Sequence, residues 1–157
     1  MKQLFAMSRY SPYRSRSISP ENFNGEKGAG GAATTGWAQK AAKDLGQGWK
    51  VSPAINISAG ETVTLAEIHE SGAIRHIWMT GYNILWRFAI LRFYWDDSTV
   101  PSITCPLGDF FASAETDKLR PYSSIMTCVN PKNGMNCYWE MPFKKNCKIT
   151  IENMSSN

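Results

Sequence analysis

"RFAILRFYWDD", residues 87–97, decides the fold. From Arg87 to Trp95 the residues are apolar on both faces of an extended chain, apart from the arginines. A run of this kind is a central strand with neighbours on both sides, and Asp96-Asp97 closes it. The closing stretch "CKITIEN", Cys147–Asn153, alternates Cys147, Ile149 and Ile151 against Lys148, Thr150 and Glu152. That period of two marks a strand with one face in the core.

Working outward, "ETVTLAEI" sets Val63 and Leu65 opposite Thr62 and Thr64, and Ser71-Gly72 punctuates before "AIRHIWMT". "VSPAINI" is another short extended piece, ended by Ala59-Gly60. "PSITCPLGDFF" is also extended, with prolines suited to an edge or a bend. "SSIMTCV" and "NCYWEMPF" flank residues 130–134, Asn-Pro-Lys-Asn-Gly, a hairpin turn carrying the favoured Asn-Gly pair. One short helix is expected near the N-terminus. Thr34 or Thr35 can cap it, Trp37, Ala41 and Leu45 recur at four-residue spacing, and Gly46 stands where it would end. About eight strands with almost no helix predict an all-β chain, a β-sandwich or jelly roll.

A length of 157 residues suits one domain, able to bury about 70% of its unfolded surface. The net charge of +4 is divided between Arg9, Arg14 and Arg16 in a Ser/Tyr-rich leader and Lys144, Lys145 and Lys148 near the end. A nucleic-acid surface needs a denser basic stripe with interleaved aromatics, so no nucleic-acid partner is expected. No apolar run approaches the roughly 18 residues of a membrane helix. Residues 4–7 are too short for the apolar region of a signal peptide. The expectation is a cytoplasmic protein with no membrane partner. Cys105, Cys128, Cys137 and Cys147 have no C-x-x-C spacing, and His69 and His76 lie far from them. These are the thiols of a reducing compartment, with neither a metal nor another cofactor expected.

Gly28-Ala29-Gly30-Gly31-Ala32-Ala33 fits a dinucleotide pattern, but that motif requires a buried strand leading into it. Only Ile18 and Phe23 in the preceding stretch are aliphatic or Phe, so the glycines belong to a flexible or tightly turning loop. Glycoside chemistry would need two carboxyl groups, and the candidates are Asp96, Asp97, Asp109, Glu115, Asp117 and Glu140. Asp96 and Asp97 are adjacent and point to opposite faces, and a polar strand terminus accounts for them equally. In "PLGDFF", Gly108 permits a close turn, while Asp109, Phe110 and Phe111 could bond to and stack on a sugar. The alternative is two core rings and a turn-capping carboxylate. Of the six tryptophans, Trp78 and Trp95 read as core, and Trp37 beside the glycine loop reads as a ligand contact. His76 reads as a structural histidine. Neither G-x-S-x-G nor a Cys-His signature is present.

The blocks "SISPENFNGEKGAGGAA", "LGQGWKVSPAINISAGETVTLAEIHESGAIRHIWMT", "LRFYWDDSTVPSITCPLGDFFA" and "CVNPKNGMNCYWEMPFKKNCKITIEN" resemble, in order, the N-terminal half of glycoside hydrolase family 172. The resemblance runs from about Arg16 to Asn153. It implies paired jelly rolls in a trimer or a multiple of it, with the active site close to a subunit interface. It also implies retaining chemistry on α-linked fructofuranosides or arabinofuranosides, with two glutamates in the C-terminal half. Those glutamates lie in segments resembling Gly-Glu-Gly-Glu and Gly-Thr-Glu-Asp-Tyr-Phe, neither of which occurs here, so no catalytic residue is carried over. The expected organisation is a leader over 1–15, then 16–157 as the first of two jelly rolls. In that setting the opening glycines let backbone approach a neighbouring subunit, with Glu26 and Lys27 placed to pair across it. The expected substrate-binding set is Asp109, Phe110, Phe111, Trp37 and Glu26, with a furanoside carbohydrate as partner. The alternative is a non-catalytic carbohydrate-binding or assembly module on the same scaffold.

Overall fold

The structure, a computed structural model, describes residues 10–45, 49–81, 86–113 and 120–156. Its elements in chain order are α1 (Gln39–Ala42), β1 (Thr62–Ile68), β2 (Gly72–Ile74), β3 (Ile77–Met79), β4 (Ala89–Trp95), β5 (Ile103–Pro106), α2 (Leu107–Phe110), β6 (Tyr122–Ser123), β7 (Thr127–Asn130), β8 (Gly134–Cys137), β9 (Met141–Phe143) and β10 (Cys147–Asn153). Three antiparallel ladders result, in the orders β1-β10-β4-β5, β2-β9 and β3-β8-β7-β6.

In the first sheet β4 is a central strand, as the sequence predicts, and β10 lies beside it with β1 on its other side. Register sets Phe93 opposite Ile149 and Ile103, and Leu91 opposite Ile151 and Cys105. Leu91 and Phe93 are fully buried. Their cluster takes in Val129, Met135 and Cys137 from the second large sheet, so the two sheets form a sandwich around one core. Removing those apolar faces from water is the main force holding the layers together.

Strand β1 shows how strict that requirement is. Val63 and Leu65 alternate in phase, but the next apolar residues, Ala66 and Ile68, are out of phase with them. Pairing shifts by one residue between Thr64/Thr150 and Ala66/Ile149. This bulge at Leu65 brings Val63, Leu65, Ala66 and Ile68 all onto the core.

"AIRHIWMT" is not one strand. It divides into β2 and β3 around Arg75 and His76, opposite a matching gap between β8 and β9. The register slips by one residue between Ile74/Met141 and Ile77/Cys137. A consequence is that Trp78, expected in the core, lies on the outer face and is 52% exposed. Trp95 does pack on the core and stacks on Phe143 with ring centroids 6.2 Å apart.

The β7–β8 hairpin falls where expected, closing at the Asn130/Gly134 pair. Its left-handed residues are Lys132 and Asn133, at φ 66° and 63°, because Gly134 is already part of the ladder. The helix near the N-terminus is a single turn with Ala38 at its N-cap and no side-chain cap from Thr34 or Thr35. Gly46, its expected terminator, lies outside the described residues. No helix among the described residues is long and apolar enough to cross a membrane.

Candidate functional site

"PLGDFF" was read as extended, yet only its first residue ends a strand. Pro106 finishes β5, and Leu107–Phe110 turns as α2. Gly108 makes the turn possible: a Cβ there would sit 2.6 Å from the Ser113 carbonyl oxygen and 3.2 Å from Trp86 Cβ. The turn points both rings inward. Phe110 is 3% and Phe111 0% exposed. Phe110 stacks on Phe93 at 5.1 Å and meets Trp139 edge-on at 5.6 Å. Neither ring offers a face to a sugar, which corrects that expectation: helical spacing carried both into the core. Asp109 stays at the surface and binds Arg87 Nη1 at 2.8 Å.

Asp96 and Asp97 hold a turn. Both are left-handed, at φ 54° and 68°, a conformation that Asp tolerates better than most residues. Asp96 Oδ1 accepts the N–H groups of Lys144 and Lys145, each at 2.8 Å. Asp97 accepts from Lys145 Nζ at 3.1 Å and from the Asn146 amide. The Lys145 N–H is the largest cause holding Asp96 below the ordinary carboxyl range, and the Asn146 amide plays that part for Asp97. Both stay ionised at neutral pH, unfitted to act as a general acid. Glu140 is paired with Arg75 at 3.2 Å. Glu115 and Asp117 lie outside the described residues.

The opening loop has a defined architecture. Asn22 is 6% exposed; its amide donates to the Ser17 and Glu26 carbonyls, and its Oδ1 accepts the Glu26 N–H at 3.0 Å. Glu21 Oε1 accepts the N–H groups of Val51 and Ser52, at 2.7 and 2.5 Å, docking the loop on the following segment. Glu26 is exposed beside Arg16 and Lys27 at a small hollow of about 160 Å³. Trp37 is 75% exposed. These two are therefore free of the core, but far in sequence from Asp109, and no hydrogen bond or ion pair given for the described residues joins the three.

His76 Nε2 donates one bond, to Asn136 Oδ1 at 3.0 Å, and the ring stacks on Tyr138 at 4.7 Å. This satisfied geometry fits the structural role expected of it. Burial raises the thiols of Cys105 and Cys137 and pushes Cys147 up to about 12, so these thiols remain protonated and poorly nucleophilic. Among the described residues no group of three or more His, Cys, Asp or Glu is arranged to hold a metal.

The sequence did not reveal a groove on the first sheet. Across the outer face of the first sheet, register aligns Thr64, Thr150, Arg92 and Thr104 in one row, and Glu67, Lys148 and Tyr94 in the next. The β4–β5 turn, with Ser98 and Thr99, walls one end of a groove of about 730 Å³ above Arg92, Thr150, Glu67, Lys148 and Tyr94. Arg92 Nη2 reaches Glu152 at 2.6 Å, each side chain about one quarter exposed. The outward set Lys148, Thr150 and Glu152 was visible in the alternation of β10. What lay opposite them was not.

A sequence model of one family, described as GH172 domain-like, matches residues 50–157. The match takes in all ten strands and begins after the loop that carries Glu26 and Trp37. No curated protein matches the chain.

Proposed function

We propose a function that follows from the family: the chain belongs to the GH172 domain-like family, a glycoside hydrolase family, and forms the N-terminal jelly-roll part of a retaining enzyme acting on α-linked furanosides. The family match over the whole sandwich carries this reading. Retaining hydrolysis uses two carboxyl groups about 5–5.5 Å apart, one as nucleophile and one as acid/base. Most of the described carboxylates discussed above are otherwise engaged. Asp96 and Asp97 hold a turn, Asp109, Glu140 and Glu152 pair with arginines, and Glu21 caps backbone N–H groups. In this reading residues 16–157 supply scaffold, subunit interface and sugar contacts within a trimer or a multiple of it, and the catalytic glutamates belong to a second jelly roll.

The test compares this chain with the protein translated from the complete reading frame. Both are given p-nitrophenyl α-arabinofuranoside and α-fructofuranoside, with anomeric configuration followed by proton NMR. Turnover with retention by the complete protein alone is expected. Turnover by this chain by itself, or preference of the complete protein for pyranosides, overturns the reading.

A second reading, a carbohydrate-binding or assembly module on the same scaffold, is favoured by the same engagement of the carboxylates. Furanoside binding without turnover by the complete protein selects it.

A further inference from the structure

We propose that the outer face of the second large sheet, where β3 meets β8, is a saccharide-binding platform, with the Trp78 indole as the main stacking surface and the Tyr138 ring beside it. The saccharide class rests on the carbohydrate function proposed above; the platform itself rests on its geometry.

Register builds the platform. Trp78 pairs with Asn136 across β3 and β8, and just beyond that pair His76 stacks on Tyr138 at 4.7 Å with the ring planes 11° apart. His76 and Trp78 alternate with the inward Ile77 and so share the outer face. Asn136 ties the two rows together by accepting the His76 Nε2–H at 3.0 Å. That bond fixes the His76 ring, and the stack in turn fixes Tyr138. The Trp78 indole leans over Gly134, its Nε1 3.6 Å from where a Cβ of that glycine would stand. All three rings can be reached: Trp78 is 52% and Tyr138 46% exposed, and His76 is exposed as well. None of them belongs to the core cluster or packs against it, so the sandwich interior gives no reason for gathering them here.

Charge and ring chemistry select the ligand class. Strands β3, β8, β7 and β6 carry no Asp, Glu, Lys or Arg. Beside the rings, Arg75 is neutralised by Glu140 at 3.2 Å. A phosphate chain needs a row of cations, and this surface offers none; its complement is a neutral ligand. Each ring also joins an apolar face to a polar atom. The Trp78 Nε1–H donates, the Tyr138 hydroxyl donates and accepts, and His76, with its Nε2–H committed to Asn136, keeps Nδ1 as an acceptor. A sugar matches that combination, since its C–H groups cover an aromatic face while its hydroxyls reach the polar edges. A purely aliphatic partner surface would leave those edges without hydrogen bonds, which is costly.

The experiment is calorimetric titration of the chain, with the indole N–H signals followed by NMR. The probes are an α-linked arabino-oligosaccharide, a fructo-oligosaccharide and, as a pyranose control, cellotetraose. The Trp78 signal is identified by its absence from Trp78→Phe. The expected result is binding of a furanose probe that shifts this signal and that Trp78→Ala weakens by about tenfold or more, the scale of one aromatic contact. Trp78→Phe, which keeps a stacking face, should recover most of the affinity. The indole signal is read in the parent protein, so it decides the matter even where Trp78→Ala misfolds. No binding of any probe, or binding that leaves the Trp78 signal unmoved, overturns the platform. A dimer in sedimentation that Trp78→Ala abolishes, with no probe bound, overturns it in favour of a contact between copies of the chain. If the platform is overturned while the complete protein still hydrolyses furanosides, the proposed function stands without it. Binding of cellotetraose alone, with the same dependence on Trp78, upholds the platform, and the hydrolysis assay then judges the furanoside reading by itself.

Discussion

Asp96 accepts the backbone N–H of Lys145 at 2.8 Å and, through the same oxygen, that of Lys144. The turn after β4 is thereby clipped to the turn between β9 and β10, at one end of the central strand pair. Asp97 tightens the clip from the other side, its N–H donating to Asn146 Oδ1 at 3.0 Å. A pair of carboxylates beside a tryptophan invites a catalytic reading. Its bonds instead make it the fastening between two turns.

This fastening titrates. Both carboxyls lie below their ordinary value of 3.8 because of the hydrogen bonds they accept. A group whose pKa is depressed by folding adds stability above its unfolded pKa, and that stability is lost as pH falls through the folded value. The unfolding temperature should hold steady down to about pH 4 and then fall. Asp96→Asn keeps an acceptor oxygen but cannot titrate, so its acid limb should be shallower. Superimposable acid limbs for the two proteins would remove this role.

Phe110 is held between Phe93 and Phe111, both centroids at 5.1 Å. Phe110→Ala should cost about 3–5 kcal/mol in urea unfolding, the usual range for deleting a buried Phe. A loss below about 1 kcal/mol would mean that the ring is not a core residue.

Gly108→Ala forces a methyl against the Ser113 carbonyl and Trp86, and overpacking of this kind costs about 1–3 kcal/mol. Gly30 has no atom within 4 Å of where its Cβ would stand, so Gly30→Ala should stay within about 0.5 kcal/mol of the parent. Equal effects at the two positions would contradict the close approach at Gly108.

Cys147 is 1% exposed, with its thiol pushed up by burial to about 12 from an ordinary 9.0. A raised thiol pKa leaves stability intact below the unfolded value and removes it as pH climbs from there towards 12. At pH 8 iodoacetamide should spare Cys147 in the native protein and label it in urea, as read by peptide mass spectrometry. Rapid native labelling would show that the site opens.

The alternation of Cys147, Ile149 and Ile151 and the long apolar run of β4 identified two strands and an all-β chain, because side-chain facing in a strand is a local property with a period of two. The hairpin at Asn130–Gly134 was legible for the same reason, since its turn chemistry is contained within five residues. Four features were not local. The bulge at Leu65 depends on which phase of β1 the core accepts. The exposure of Trp78 follows from a break shared with a strand far along the chain. Phe110 and Phe111 face inward because α2 replaced an expected extended segment. The groove has its lining because Arg92 falls beside Thr150 and Lys148 falls between Glu67 and Tyr94, and the register between strands far apart in the chain is settled only when all the apolar faces are buried together. The sequence by itself thus determined the strands and their inward faces. The tertiary structure decided which outward faces meet, because register is chosen by the collective packing of the sheet and not by any one segment.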